Sequence, residues 1–317
     1  MPVSMTPNEL TRRLRQALGD ARVTANAPLA PLTTFKVGGP ADWLVTAPAI
    51  GIVRTALALA RDAGVPATVI GGGSNLLVSD AGVRGVVIRM HGGGVRTIDA
   101  GTLRTDAGVT INELVRWTIA RGLSGLEAWA GTPGTVGGAV HGNAHFRGRP
   151  IGDLVSSVDL VSADGDVVAV PAAQMEFGYD SSRLQRTREI VLSVDFRVGR
   201  GDPAELRSRA RESLAFRKRT QPLASPSAGC VFQNPDPLRD RVPEGIPASA
   251  GALVDRAGLK GVREGGASVS PTHANFIVND GTATAAEIRR LIDRCKAAVR
   301  ERFGVELREE LVYLGTD

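Results

Sequence analysis

The chain has 317 residues, 43% hydrophobic and 22% charged, a globular balance that excludes a disordered polypeptide. Its formal net charge is +5, from 38 Lys and Arg against 33 Asp and Glu, and only four of the 38 are Lys. No run of 18 apolar residues occurs and no charged segment with an apolar core opens the chain, so neither a membrane span nor a signal peptide is expected and a cytoplasmic setting is.

In chain order, a short polar helix is predicted over 8–18, then a linker ending in Pro28 and Pro31. The turn Thr33-Thr34-Phe35-Lys36-Val37-Gly38-Gly39-Pro40-Ala41 leads into a strand over 42–46. Val53, Leu57 and Ala60 repeat with a helical period over 50–63. A short apolar strand, 67–70, runs directly into Gly71-Gly72-Gly73-Ser74-Asn75-Leu76-Leu77. Strand, helix and strand with a glycine-rich exit is the pattern of an α/β nucleotide fold. Residues 83–200 are richer in strands: 86–89, 103–106, 155–162, 167–170 and 189–198, with one helix over 111–121. Asp164-Gly165 between two alternating runs predicts a hairpin turn.

A helix studded with Arg follows over 203–219. Its basic cluster, 207–219, holds a single aromatic, Phe216, whereas nucleic-acid sites usually join a basic stripe to stacking aromatics. Nucleic acid is therefore not expected as a partner. Prolines at 222, 226, 235, 237, 243 and 247 make the next stretch a loop around one short strand, 230–233. Helices over 248–257 and 284–303, a strand between them at 276–279 and a last strand at 310–314 complete the chain.

Glycine accounts for 38 residues, about 12% against a usual value of about 7%. Two runs concentrate it: Gly71 to Leu77, and Gly131-Thr132-Pro133-Gly134-Thr135-Val136-Gly137-Gly138-Ala139. Consecutive glycines let backbone N–H groups turn toward an anion and let the backbone approach a flat or phosphorylated ligand. Neither run is GxxxxGK[ST] or GxGxxG, because no Lys follows and Leu76 stands where a third Gly is needed. Two such runs about 60 residues apart are most economically explained by one long ligand, the length of a dinucleotide. The two cysteines, Cys230 and Cys295, have neither metal-ligand spacing nor a disulfide framework, so no metal is expected.

With these segments the chain resembles the UDP-N-acetylenolpyruvoylglucosamine reductase family, in its shorter type, over about residues 25 to 315. The carriers are Thr34 to Gly39, the two glycine runs, Phe177-Gly178-Tyr179, Arg219-Thr220-Gln221-Pro222, Ser227-Ala228-Gly229-Cys230-Val231-Phe232-Gln233-Asn234-Pro235, Ala257-Gly258-Leu259-Lys260-Gly261, the segment Gly265 to Asn279, and Glu310. Each is weak alone, and their common order is what makes them specific.

The resemblance implies an α+β protein: a two-part FAD-binding domain of the vanillyl-alcohol-oxidase type, 1–82 and 83–202, and an α/β substrate-binding domain, 203–304. The C-terminal strand, 305–317, is expected near the active site. FAD is implied as a non-covalent cofactor, NADPH as co-substrate and the enolpyruvyl ether of a UDP-sugar as the small-molecule substrate of a monomer.

The resemblance also implies roles for single residues. Lys36, Gly71, Gly72, Gly73, Ser74, Asn75, Leu76, Gly131, Pro133, Gly134, Thr135, Gly137, Gly138, Ala139 and Asn143 would hold the cofactor. Tyr179, Lys218, Gln221, Asn234 and His273 match positions near the UDP-sugar or cofactor. Cys230 stands where the family places a proton-donating Ser; a thiol with an ordinary pKa of about 8.5 is mostly protonated at neutral pH and can do the same work. Glu310, rather than its neighbour Glu309, matches the family's carboxylate. Cys295, among Ile292 and Val299, reads as packing.

One departure stands out. Phe177-Gly178-Tyr179 is followed by Asp180-Ser181-Ser182-Arg183, so Asp180 occupies the position of the family's Arg. A carboxylate cannot stabilise a second, developing carboxylate charge. Either Arg183 takes that catalytic role from one short turn later, or Asp180 points away and another cation serves, with Arg147 and Arg149 as candidates in the departing stretch 143–148 and beside it. Other readings are a flavin oxidase or dehydrogenase with a different substrate, and a flavin-binding homologue impaired in catalysis.

Overall fold

A computed structural model describes residues 5–162 and 165–315, which form two compact units. One comprises 5–27, 41–72 and 84–215; the other comprises 28–40, 73–83 and 216–315. This division differs from boundaries after residues 82 and 202. The reason is packing: Phe35, Val37 and Leu77 are buried in one core with Val231, Phe232, Leu253 and Ile292, so their segments belong with the C-terminal unit. The long helix Pro203–Thr220 is itself divided, after Ala215.

The first unit opens with the helix Pro7–Leu18. Thr6 caps it by accepting a hydrogen bond from the Glu9 N–H, and Leu10, Leu14 and Leu18 recur at four-residue spacing on its buried face. Each such leucine contributes about 1.5–3 kcal/mol on burial. A four-stranded sheet follows in the order Val23–Pro28, Pro40–Ala47, Val83–Met90, Ala67–Ile70, the last two parallel. Pro40–Ala47 buries every second residue, Ala41, Trp43, Val45 and Ala47, as a strand with one face on a core must. The helix Ile50–Asp62 connects it toward Ala67–Ile70, so the expected strand–helix–strand unit is present.

A five-stranded antiparallel sheet has the order Val167–Pro171, Val155–Val161, Ile190–Arg197, Thr102–Asp106, Val95–Thr97. Val161 lies opposite Val167, so the expected hairpin is formed; Asp164 of its turn lies outside the described residues. Arg104 ties three adjacent strands together. It forks onto Asp195 at 2.6 and 2.7 Å and reaches Asp159 at 3.1 Å. The helix Ile111–Ala120 starts with a capping box between Thr110 and Glu113. The core is aliphatic, with Trp129 and Phe196 its largest fully buried side chains.

The second unit packs the helices Ala250–Arg256 and Ala285–Phe303 with a three-stranded antiparallel sheet, Arg263–Glu264, Ala267–Val269 and Ile277–Asn279. Leu76–Val78 pairs in parallel with Val312–Leu314. Three side chains share the start of Ala285–Phe303. Thr284 and Glu287 form a capping box, and the Asp80 carboxylate accepts from the N–H groups of Ala285 and Ala286 at 2.9 and 3.0 Å. Gly304, at φ 70°, ends the helix. Cys295 is 1% exposed on its core face, and burial pushes its thiol up to about 12, the packing role expected of it.

Many short elements escape the sequence pattern, among them Val23–Pro28, Leu76–Val78, Val95–Thr97, Val136–His141, Arg263–Glu264 and Ala267–Val269. The expected strand over 230–233 is reduced to one bridge, Phe232 to Glu309. Among the described residues, no helix is long and apolar enough to cross a membrane, and no group of three His, Cys, Asp or Glu could hold a metal ion.

Candidate active site

In the first unit the two glycine runs meet. A Cβ on Gly72 would lie 2.6 Å from the Gly134 Cα, and one on Gly71 would overlap the Thr135 hydroxyl oxygen. Contact this close admits no side chain at either position. Gly131 and Gly134 adopt φ of 81° and 100°, a region that strains any residue with a Cβ. Asn112 anchors this loop by accepting from the Gly131 N–H at 2.8 Å and donating to the Thr132 carbonyl at 3.2 Å.

Thr135, buried, caps the helix Val136–His141, which carries Gly137, Gly138 and the buried Ala139; Pro133 and Gly138 are exposed. A Cβ on Gly137 would come 2.9 Å from the Ala107 Cβ, so this glycine lets the helix sit against Ala107. The loops form a surface of peptide groups with few side chains, which fits the pyrophosphate of FAD.

In the second unit Gly73 lies against Leu32 and Thr33, and its carbonyl accepts from the Thr34 N–H at 3.0 Å. Lys36, at φ 61°, donates its ammonium to the Pro31 carbonyl at 3.0 Å, which folds this turn on itself. Ser74 and Leu76 are half-buried. The Asn75 amide donates to the Glu310 carbonyl at 2.9 Å, so it ties the glycine loop to the C-terminal segment.

That segment runs beside Cys230. The Glu310 N–H donates to the Val231 carbonyl at 2.8 Å and the Gln233 N–H to the Arg308 carbonyl at 2.8 Å. Cys230, half-buried, follows Gly229, whose φ of 78° turns the chain and whose missing Cβ would meet nothing within 4 Å. Glu309 is committed elsewhere. Lys296 reaches it at 2.5 Å, Arg289 at 3.6 Å, and the Tyr313 hydroxyl donates to it. Burial works to raise its pKa, but these donors outweigh it and hold the carboxyl below its usual value. Successive residues of an extended segment point to opposite sides, so Glu310 does not share that cluster's face.

Arg217 is a residue the sequence pattern does not single out. It is 6% exposed, and burial pushes its pKa down to about 10 while the nearby Cys230 pulls the other way. One arginine among many in an Arg-rich helix gives no signal; only its burial beside a thiol does.

The remaining expected residues of this unit divide by burial. Lys218 is exposed on the last turn of Pro203–Thr220, and the Gln221 N–H continues that turn to the Arg217 carbonyl at 2.9 Å. The Asn234 side chain accepts at Oδ1 from the Ala250 N–H at 3.0 Å, at the start of Ala250–Arg256. His273 accepts at Nδ1 from the Asn275 N–H at 3.2 Å; burial, with help from Lys260, holds its pKa low and the ring neutral.

On the first unit Asn143 is buried at φ 46°, with both ends of its amide used: Nδ2 donates to the Gly178 carbonyl at 2.7 Å and Oδ1 accepts from the Gly152 N–H at 2.9 Å. It therefore braces the loop that carries Tyr179, which is 52% exposed. Arg183 is engaged as a strut. Its Nε and Nη2 fork onto Glu189 at 3.0 Å each, and Nη1 donates to the Gln174 carbonyl at 3.4 Å. Three nitrogens of the guanidinium are thus engaged with Glu189 and Gln174. Arg147 and Arg149 are exposed. The carboxylate of Asp180 meets His145 Nδ1 at 2.9 Å.

Comparison with known proteins identifies the family. The FAD binding domain family matches residues 42–171, and the C-terminal domain of UDP-N-acetylenolpyruvoylglucosamine reductase matches 221–314. A UDP-N-acetylenolpyruvoylglucosamine reductase of Heliobacterium modesticaldum is 41% identical over 294 residues, covering 91% of this chain and 89% of its own. The Bacillus subtilis enzyme of that name is 38% identical over 296 residues, covering 93% and 94%. The crystal structure of the Thermus caldophilus reductase superposes with a TM-score of 0.75 at 35% identity, over 92% of this chain and 98% of that one. With FAD as its cofactor, an α+β fold and relatives matched along nearly their whole length, the chain belongs to the UDP-N-acetylenolpyruvoylglucosamine reductase family of flavin-dependent oxidoreductases.

Proposed function

We propose that the protein reduces the enolpyruvyl ether of UDP-N-acetylglucosamine enolpyruvate to UDP-N-acetylmuramate at the expense of NADPH. The observation that carries this reading is the second unit's pairing of Cys230 with the Glu310 segment, with Arg217 buried nearby. When bound, FAD supplies the hydride chemistry of the reaction. The backbone at Gly71, Gly72 and Gly131 to Gly138 would hold its pyrophosphate.

The protein's own groups do the rest. As hydride adds at C3 of the enolpyruvyl group, the C2=C3 electron pair moves toward C2 and the adjoining carboxylate. The Cys230 Sγ–H then gives its proton to C2, and solvent reprotonates the thiolate. Arg217 stabilises that thiolate by its charge, which makes the thiol a better acid. Glu310 orients the group undergoing reduction, and Tyr179, Lys218, Gln221, Asn234 and His273 are the substrate-side candidates. The test is anaerobic: NADPH should bleach the bound flavin, and the enolpyruvyl sugar should restore its colour. A flavin that stays reduced after substrate is added would favour an oxidase acting on something else.

A further inference from the structure

The half-buried arginines of the first unit are Arg89, Arg104 and Arg183. Arg104 forks onto Asp195 and Arg183 onto Glu189. Arg89 makes no ion pair among the described residues, and its Nε is buried without an acceptor there. Withdrawing a guanidinium from water without a counter-charge is costly, and arginine cannot escape the cost by losing its proton. A group held this way is built to face an anion.

The place of Arg89 in the fold points to that anion. It is the next-to-last residue of Val83–Met90, opposite Ile70, the last residue of the parallel strand Ala67–Ile70. Val86, Ile88 and Met90 are buried in the core, and successive strand residues face opposite sides, so Arg89 faces away from that core. Adjacent strands are about 4.8 Å apart, which sets Arg89 one strand spacing from the residue that leads into Gly71. Gly71 and Gly72 in turn abut Thr135 and Gly134 of the second glycine run. In open α/β sheets ligands gather beyond the carboxyl ends of parallel strands. The peptide N–H groups of the two runs offer a diphosphate partial charges only. Arg89 offers a full one at the same strand ends.

We infer that Arg89 is a cofactor-binding residue that pairs with the diphosphate of FAD. The inference rests on the placement of that diphosphate at the glycine runs proposed above, and every residue it uses lies in the first unit. A planar guanidinium can donate two parallel N–H bonds to phosphate oxygens. The apoprotein bears the cost of the unpaired charge, and bound FAD relieves it.

The experiment measures FAD affinity by quenching of flavin fluorescence on the apoprotein, together with the melting temperature of each apoprotein. Arg89→Met, which keeps the bulk and removes the charge, should weaken FAD by about 10- to 100-fold. Its apoprotein should melt no lower than wild-type apoprotein. Arg89→Lys should fall between the two in affinity, since an ammonium keeps the charge without the fork. An Arg89→Met protein that binds FAD within twofold of wild type overturns the assignment. So does one whose apoprotein loses stability along with affinity, which would make Arg89 a packing group. Gly72→Ala separates the inference from the placement it rests on. FAD affinity lost in Gly72→Ala but kept in Arg89→Met overturns Arg89 alone, and affinity kept in both strikes the placement of the diphosphate as well.

Discussion

The backbone N–H of Glu310 lies 2.8 Å from the carbonyl oxygen of Val231, the residue after Cys230. With the Gln233 N–H on the Arg308 carbonyl, this bond sets the carboxylate and thiol segments side by side, and Phe232 bridges to Glu309 between the two. Adjacent glutamates consequently have different fates. Glu310→Gln should cut turnover by about 100-fold with little change in melting temperature. Glu309→Gln should keep turnover and lose about 1–2 kcal/mol, because Lys296 and Arg289 lose their counter-charge. Thermal melts and steady-state rates of the two variants separate these outcomes; the reverse pattern would exchange their roles.

Cys230 is the proposed acid. Cys230→Ser should retain substantial turnover, since a hydroxyl can occupy the same place. Cys230→Ala should lose about 10²–10⁴-fold in reduction of the enolpyruvyl group while NADPH still bleaches the flavin. The same change at Cys295, in the core, should alter stability alone, by about 1 kcal/mol. Stopped-flow measurement of each half-reaction checks this, and a Cys230→Ala protein slow in both halves would make the thiol a packing group.

The meeting of the glycine runs predicts a backbone-specific defect. Gly72→Ala puts a Cβ 2.6 Å from the Gly134 Cα, so one loop must move. Flavin content after purification should fall sharply, and added FAD should restore it only partly. The change should also cost about 1–3 kcal/mol. Gly51→Ala, where a Cβ meets nothing within 4 Å, is the matching control and should bind FAD normally.

The Arg104 fork predicts a pH dependence. Its hydrogen bonds hold the Asp195 carboxyl below its usual value, with burial opposing. A depressed carboxyl stabilises the fold above its unfolded pKa, near 3.9, and loses that contribution as pH falls through the folded value. Asp195→Asn should therefore be less stable than wild type at pH 7, by about 1–3 kcal/mol, and the gap should narrow as pH falls below the unfolded value and through the depressed folded one. Denaturant titrations at several pH values give the curve; a gap that widens in acid contradicts this account.

What the sequence discloses depends on the range over which each feature acts. Strand 67–70 and helix 285–303 are legible because local period and capping set them. The convergence of the glycine runs is legible from their composition. Segments 28–40 and 73–83 are not assignable to the C-terminal unit from sequence, because their membership rests on Phe35, Val37 and Leu77 finding a distant core. Arg217 is hidden among similar residues until burial distinguishes it. That the amides of Asn143 and Asn75 hold the Gly178 and Glu310 carbonyls is likewise disclosed only by three-dimensional contact. The contact of Asp180 with His145, remote in the chain, has no sequence signal either.

The most direct test of the central claim follows the two hydrogens added to the substrate. The FAD-loaded enzyme is reduced with deuterium-labelled NADPH and mixed anaerobically in ordinary water with UDP-N-acetylglucosamine enolpyruvate for one turnover. The account predicts UDP-N-acetylmuramate with a solvent hydrogen at C2, and deuterium at C2 when the turnover is run in deuterium oxide, while the reductant's label reaches C3 only as far as transfer outruns exchange of the reduced flavin's N–H with water. Recovery of unreacted enolpyruvyl sugar beside a flavin that remains reduced would contradict it.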